Sequence, residues 1–311
     1  MPAQTFLTFE AFMNANRHAR LRPMVLGPDR GNWVLTHLTL DNLSVQWGQA
    51  GGKALIEGAS KLGGLTIFLQ TQGAPAFSGN GHRFDERSLM VVGPDDEFCL
   101  AADGSSRRWC SLYVPNGDLA SANGETTTAV GSMRGVCQLP PQRIERFRSV
   151  IEQLDEAVQQ APAAFESASA QLAAKQKVVR EIRTVLAGPL ETERPHGRHA
   201  VPRKQIIRRS MDFVDQHDGE YLSVEQLATA SGVSERTLRD AFQHYFGVAP
   251  VQYLNRRTLH QFRRALKAAD PLRATVAEIA TEFGVWHFGR LARDYRFLFG
   301  ELPSETLRHL H

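Results

Sequence analysis

The strongest constraint on the fold of this chain is a pattern that occurs twice between residues 222 and 303. Both copies contain an apolar-alanine pair, then a glycine-valine pair, then a stripe of apolar residues that ends in Phe-Gly. The glycine-valine pairs, Gly232-Val233 and Gly284-Val285, are 52 residues apart (284 − 232). The closing phenylalanines, Phe246 and Phe299, are 53 residues apart (299 − 246), so the second copy holds one additional residue. We therefore expect a fold in which one supersecondary unit occurs twice.

Local signals predict that each copy is a helix-turn-helix. Ser223 and Thr275 are N-cap residue types that precede a first helix. Gly232 and Gly284 stand where this helix ends, at a left-handed turn that glycine adopts at the lowest cost. The second helix has apolar residues at four-residue spacing, which predicts one buried face. The opposite face carries arginines: Arg236 and Arg239 in the first copy, and Arg290, Arg293 and Arg296 in the second.

Helical corners of this kind also occur in proteins that bind no DNA, so a structural repeat with solvated arginines is the alternative. Residues 203–307 resemble, in addition, the C-terminal domain of AraC/XylS-family transcription regulators. The similarity lies in Leu227-Ala228, Gly232 to Leu238 and Phe246 to Leu254, and then in Ile279-Ala280, Phe283 to Tyr295 and Phe299 to Ser304. Within it, Trp286 to Arg290 resembles the subset that includes ethanolamine-operon regulators. The resemblance implies twin helix-turn-helix units that bind promoter DNA.

The N-terminal part of the second helix of such a unit reaches base edges in the major groove. We therefore expect DNA contacts from Ser234, Glu235, Arg236, Arg239, Trp286, His287, Arg290 and Arg293, with Arg296 as a phosphate contact. The family resemblance implies base-contacting side chains at the same positions. Asp240 and Asp294 would repel phosphate, so we expect them to pair with neighbouring arginines. A long helix from Pro250 to about Ala269 should join the units, with Arg256, Arg257, Arg263 and Arg264 on its outer face.

The N-terminal part of the chain has the alternating pattern of β-strands. From Trp33 to Val114, short alternating runs are separated by turn signals such as Gly51-Gly52 and Asp103-Gly104. About eight such strands predict an antiparallel barrel or jelly roll. Placed before a C-terminal domain of this kind, the segment resembles the cupin-like sensing domain of the same family. Phe6 to Asn16 is predicted to be one amphipathic helix.

Two amphipathic helices are predicted within residues 141–187, and residues 188–202, which contain several prolines, are predicted to be an exposed linker. The apolar stripes of these helices either pack on the barrel or form a dimer interface, and the resemblance favours dimerisation. The expected fold is α+β with two domains. Residues 1–187 form a sensing and dimerisation domain, with a cupin-like antiparallel β-barrel at about 30–115 and a helical appendage. Residues 203–311 form an all-α DNA-binding domain with two helix-turn-helix units joined by the long helix.

A barrel of this size is able to hold a small molecule, so we sought pocket residues. Trp33, Trp47 and Trp109 are candidate walls, with the alternative that they are core residues. Arg83 and Arg87 form an Arg-x-x-x-Arg pair of the kind that clamps phosphate or stacks on guanine. This pair resembles the first half of the cyclic di-GMP motif of PilZ domains, although the second half is incomplete. Cyclic di-GMP is therefore one candidate effector.

Residue spacing argues against several other classes. No His-x-His pair precedes His309, so the ligand set of a metal-dependent cupin is missing, and no catalytic triad is readable. We expect no metal, no cofactor and no catalytic residues. The three cysteines, Cys99, Cys110 and Cys137, are expected to be reduced core thiols. Neither a membrane span nor a secretory signal is found, which favours a cytoplasmic protein.

These observations favour a cytoplasmic, sequence-specific transcription regulator, an activator that binds promoter DNA. Residues 203–311 contain 16 Lys and Arg against 13 Asp and Glu, whereas residues 1–202 contain 20 of each. The expected partners are promoter DNA, a small-molecule effector, RNA polymerase and a second copy of the chain. One alternative is control by a protein partner in place of the effector. Another is a cupin-type enzyme tethered to DNA-binding helices.

Overall fold

In a computed structural model of the chain, the described residues are 3–28, 33–71, 77–119, 135–187 and 202–308. They form two compact units. The first consists of residues 3–23, 33–52, 56–71, 77–119 and 135–187, and the second of residues 24–28, 53–55 and 202–308. Apart from Pro202, the predicted linker lies outside the described residues. No helix in these ranges is long and apolar enough to cross a membrane.

The first unit is built on an antiparallel sheet, as predicted. Its strands are β1 (Gln4–Phe6), β2 (Ala19–Val25), β3 (Trp33–Leu40), β4 (Leu43–Ser60), β5 (Gly64–Gln70), β6 (Phe77–Gly79), β7 (His82–Phe84), β8 (Ser88–Val92), β9 (Glu97–Pro115) and β10 (Gly135–Gln138). They pair in the order β1-β3-β4-β9-β5-β8-β10, while β2 pairs with β4 and β6 with β7 and β9. Every residue of β5 is buried, because both faces of this central strand are covered. In the register, Ile67 lies opposite Leu112 and Leu69 opposite Cys110.

Two predicted turns are instead irregularities inside long strands. Gly51-Gly52 lies within β4 and Asp103-Gly104 within β9, and each of these strands continues past the glycines. Gly52 has a φ of 111° and Gly104 a φ of 109°, values that residues with a side chain rarely adopt. A glycine of this kind bends a strand without ending it. The separate strands expected on either side of each glycine are therefore continuous.

The N-terminal segment also differs from its prediction as one helix. Gln4–Phe6 forms β1 against β3, and the helix, α1, is limited to Phe9–Asn14. Thr8 caps this helix, since its side chain accepts a hydrogen bond from the backbone N–H of Ala11 at 3.2 Å. The polar cap ends the strand before the helix begins.

The two predicted amphipathic helices cover one face of the sheet. After a short helix α2 (Asn116–Leu119), these are α3 (Pro141–Gln160) and α4 (Ala168–Leu186), with a 3₁₀ helix at Pro162–Glu166 between them. Their apolar stripes share one buried cluster with β3, β4, β5, β8 and β9. Arg146 ties the helices together through Glu181, with its Nε 2.8 Å from Oε2. The stripes of both helices are buried within the chain, and the dimer interface stays a prediction.

The cysteines lie in the same unit. Cys99, Cys110 and Cys137 are buried and unpaired. Burial raises the pKa of each thiol above its ordinary value, because the thiolate would be desolvated. They are core thiols, as expected.

The second unit is all-α from residue 203 onward, with the two helix-turn-helix units in sequence. Its helices are α5 (Arg203–Gln216), α6 (Val224–Ser231), α7 (Glu235–Phe246), α8 (Pro250–Ala268), α9 (Val276–Glu282), α10 (Phe288–Phe299) and α11 (Pro303–Arg308). The first helix of each helix-turn-helix begins with a capping box, Ser223 with Gln226 and Thr275 with Glu278. Gly232 and Gly284 both have a φ of 69° in the turn that follows. The predicted duplication is confirmed at its caps and turns.

A pair of glycine substitutions tests this turn geometry. Gly232→Ala should lower the free energy of unfolding of the C-terminal unit by about 1–2 kcal/mol, because alanine is strained at this φ. The nearest side-chain atom to an added Cβ, Arg209 Nη1, is 3.5 Å away, so the cost comes from the backbone. Gly289→Ala is the matched control, since it lies inside α10 with open space around it and should stabilise by up to about 1 kcal/mol. Urea denaturation measures both, and a loss of equal size at Gly289 would contradict the argument.

Candidate nucleic-acid interface

The second helix of the first helix-turn-helix, α7, has one buried and one exposed face. Leu238, Ala241, Phe242 and Phe246 are buried. The four predicted contact residues, Ser234, Glu235, Arg236 and Arg239, are all exposed. Ser234 is also the N-cap, since its Oγ accepts a hydrogen bond from the backbone N–H of Thr237 at 3.2 Å. Of these four residues, Glu235, Arg236 and Arg239 therefore have no capping role.

The second helix of the second helix-turn-helix, α10, likewise has one buried and one exposed face. Its buried residues are Leu291, Tyr295 and Leu298. The Tyr295 hydroxyl lies 2.7 Å from Thr306 Oγ1, which fixes α10 to α11. The predicted contacts Trp286, His287, Arg290, Arg293 and Arg296 are all exposed, and 68% of the Trp286 surface is accessible. Trp286 therefore adds a large exposed apolar side chain to this group of arginines.

Ion pairs on this surface involve one of the two predicted aspartates. Asp294 lies 3.5 Å from both Arg290 Nε and Arg293 Nε, as expected. Such exposed pairs are weak, so the arginines are readily released to another anion. Asp240 forms no ion pair with any described residue, so the expectation for it is wrong. With three arginines against Asp294, the exposed face of α10 keeps a net positive charge.

The connecting helix α8 differs from its prediction. Arg257 is directed inward, with its Nη2 2.9 Å from the Val214 carbonyl oxygen and 2.9 Å from Asp218 Oδ1. Arg263 is also largely buried, with its Nη2 3.0 Å from Glu301 Oε1 and its guanidinium over the Phe299 ring. These two arginines fasten α8 to neighbouring segments of the same unit. Their placement on the outer face was therefore wrong, because their acidic partners are distant in sequence.

The candidate ligand residues of the first unit lie in different environments. Trp33 is 2% exposed and packs against Phe9 and Phe12, with ring centroids 4.8 and 5.4 Å away. Trp47 belongs to the buried cluster under α3 and α4. Both are core residues, which was the stated alternative.

A cavity in the first unit includes only the third predicted tryptophan. Trp109 lines it, together with Phe68, Phe77, Phe98 and Arg107. Arg107 was missed, although it shares strand parity with Trp109 in β9. Residues two apart on a strand point to the same face, so this signal was available.

The arginine pair lies apart from this cavity. Arg83 and Arg87 are exposed, and neither lines it. Arg83 Nε donates to Asp85 Oδ2 at 3.2 Å, so one guanidinium of the pair already has a carboxylate partner. Their role as a phosphate clamp stays a prediction.

Comparison with known proteins finds similarity in the C-terminal unit. Residues 227–309 match a protein-family model described as a helix-turn-helix domain. A probable thc operon regulatory protein of Rhodococcus erythropolis is 39% identical over 103 residues, 33% of this chain and 31% of that protein. The XylDLEGF operon transcriptional activator of Pseudomonas putida is 36% identical over 102 residues, 33% of this chain and 32% of that protein. The chain thus matches about a third of the length of these relatives.

Among solved structures, the chain is similar to the AraC-like transcriptional activator CuxR. The superposition covers 84% of this chain and 94% of that one, with 16% sequence identity and a TM-score of 0.41.

Proposed function

We propose that this chain, whose C-terminal part is an AraC/XylS-type helix-turn-helix domain, is a sequence-specific transcription regulator that binds promoter DNA. The observation that carries the proposal is the duplication of one unit with the same N-terminal capping box and the same left-handed glycine in its turn. Each copy buries the apolar face of its second helix and exposes arginines on the other. In a helix-turn-helix, that helix enters the major groove.

The two second helices read two major grooves on one side of the duplex. Adjacent grooves on one face are about 34 Å apart, or about 10 base pairs. Arg236 and Arg239 on α7, and Arg290 and Arg293 on α10, are suited to guanine O6 and N7. Trp286 contacts a thymine methyl group or a sugar, while Arg296 and the capped N-termini of α6 and α9 contact phosphates. Binding replaces the weak pairs of Asp294 with phosphate and base contacts.

The remaining parts of the proposal concern control. The regulator is an activator that acts in the cytoplasm without catalytic activity, contacts RNA polymerase and binds as a homodimer. The N-terminal unit senses a small molecule in the cavity beside Trp109, because an apolar cavity in such a sheet is suited to a ligand. The second candidate keeps the same DNA-binding role but places control in a protein partner or in cyclic di-GMP at Arg83 and Arg87. The finer likeness to ethanolamine-operon regulators remains a prediction.

A protection footprint of the full chain on DNA upstream of its own gene and the flanking genes tests the DNA-binding role. The expected result is protection of two or more major grooves about 10 base pairs apart on one face. Salt is held at a stated moderate concentration, since phosphate contacts alone produce salt-sensitive binding to any sequence. Protection of a single groove would contradict twin reading, and diffuse binding with and without added effector candidates would contradict sequence-specific regulation.

A further inference from the structure

We infer that the cavity beside Trp109 binds a small apolar molecule that carries a carboxylate, with Arg107 as the residue that recognises the charge. This rests on the proposed function, because it names the chemical class of the effector, although binding itself can be measured without DNA. The cavity lies wholly within the N-terminal unit.

The walls of the cavity fix the nature of the ligand's body. Phe12, Phe68, Phe77, Phe98 and Trp109 are among its lining residues, and all lining residues except Asn16 and Arg107 are apolar. An apolar surface of this kind favours a ligand that sheds its hydration shell, and aromatic rings favour a flat or extended hydrocarbon body. A sugar or a polyol would leave its hydroxyl groups without partners against these walls.

Arg107 supplies a buried positive charge on this apolar surface. It is 5% exposed and carries its guanidinium 5.2 Å from the centroid of the Phe77 ring. Its Nη2 donates to Asp103 Oδ1, but Nε and Nη1 have no hydrogen-bond partner among the described residues. A buried donor without a partner costs free energy, most of all when it is charged. Arg107 therefore brings two unused donors to the lining of the cavity, where a turn of its guanidinium would expose them to an occupant.

Asp103 leaves part of this charge uncompensated inside the cavity. The Asp103 side chain is 58% exposed, whereas that of Arg107 is 4% exposed. Water screens the carboxylate from the open side far more than it screens the guanidinium within the protein. An anion that enters the cavity gains the charge-assisted hydrogen bonds that Nε and Nη1 lack once the guanidinium turns toward it. A neutral carbonyl compound gains a weaker version of the same contact.

The volume of the cavity limits the ligand's size. It is about 60 Å³, and one water needs roughly 10–15 Å³. This corresponds to a body of about four to six non-hydrogen atoms, or one ring, without movement of side chains. The ligand class is therefore a monocarboxylate with a single ring or a short chain, and larger acids require the walls to open.

The test uses the full chain and two matched pairs of probes, benzoate with benzamide and hexanoate with hexanamide. Calorimetry and tryptophan fluorescence measure binding, and each amide keeps the body of its acid without the charge. Each acid is expected to bind at least 10-fold more tightly than its amide. Equal affinity within both pairs, or no binding of any probe, would overturn the inference.

Variants assign the charge recognition to Arg107. Arg107→Met should weaken the acids by about 10- to 100-fold and leave the amides within a few-fold, while Arg107→Lys should restore part of the acid affinity. Arg20→Met is the control, because Arg20 is exposed on β2, pairs with Asp95 and does not line the cavity. Circular dichroism and the melting temperature without ligand verify that each variant folds. Unchanged acid binding in a folded Arg107→Met protein would overturn the assignment, whereas the footprint on DNA tests the regulator role separately.

Discussion

Replacing Arg236 and Arg290 together by alanine is expected to weaken operator binding by about 2–6 kcal/mol, against about 1–3 kcal/mol for either change alone. Each arginine lies on the exposed face of a different second helix. Distant side chains that contact separate bases act independently, so their losses should add. Additivity is the signature of two reading helices engaged at once. For Arg290, the measured loss includes the release of its 3.5 Å pair with Asp294 in the free protein.

Fluorescence anisotropy at constant salt, with operator and scrambled duplexes, measures these losses. Arg273→Ala is the matched control, because Arg273 is 88% exposed, pairs only weakly with Asp270 and lies in the segment between α8 and α9. This variant should leave the ratio of specific to non-specific affinity unchanged. A double variant no weaker than the stronger single variant would mean that only one unit reads bases. Equal losses on both duplexes would assign the two arginines to phosphate contacts instead.

The C-terminal unit was predictable because its signals are local. A capping box needs two residues three positions apart, and a helix C-terminus needs one glycine. Ser223, Gln226 and Gly232 therefore predict the start and the end of α6 within ten positions. The amphipathic stripes of α7 and α10 likewise depend only on spacing. Local signals cannot assign Arg257 and Arg263, whose partners Asp218 and Glu301 lie 39 and 38 residues away in the sequence. The spacing of these arginines is compatible both with an exposed helix face and with ion pairs to other segments of the unit.

The N-terminal unit was predictable in class but less so in detail. Alternation predicted strands correctly, since it reports that each strand has two unlike faces. Alternation does not show which neighbouring element packs on each face of a strand. Trp33, Trp47 and Trp109 were therefore equally good candidates for pocket walls. Gly52 and Gly104 were assigned to turns because glycine signals both a turn and a bulge, and only the pairing partners distinguish them. Pairing between strands that are distant in the sequence therefore determines whether such a glycine lies in a turn or within a continuous strand.

Mild acid is expected to destabilise the N-terminal unit through His18. This histidine is 1% exposed, and its Nδ1 and Nε2 lie 2.9 Å from Ser111 Oγ and 2.7 Å from Ser44 Oγ. Burial, reinforced by His37 and Lys61, lowers its pKa from 6.5 to about 3, so the folded protein holds it neutral. Below pH 6.5, His18 is protonated in the unfolded chain but stays neutral in the folded chain. The stability is therefore complete above about pH 6.5 and declines as the pH falls from there toward 3.

Between pH 7 and pH 5 the expected loss from His18 is about 2 kcal/mol, with a further loss from His37, whose pKa burial also lowers. Urea denaturation followed by tryptophan fluorescence measures it, because Trp33 and Trp47 are buried in this unit. His18→Gln should remove about 2 kcal/mol of the dependence, since an amide hydrogen-bonds both serines without titrating. His82→Gln, a change at an exposed site in β7, is the control and should keep the full dependence. An unaltered pH dependence in His18→Gln would mean that the acid sensitivity arises from carboxylates elsewhere, because the buried ring would then be carrying none of it.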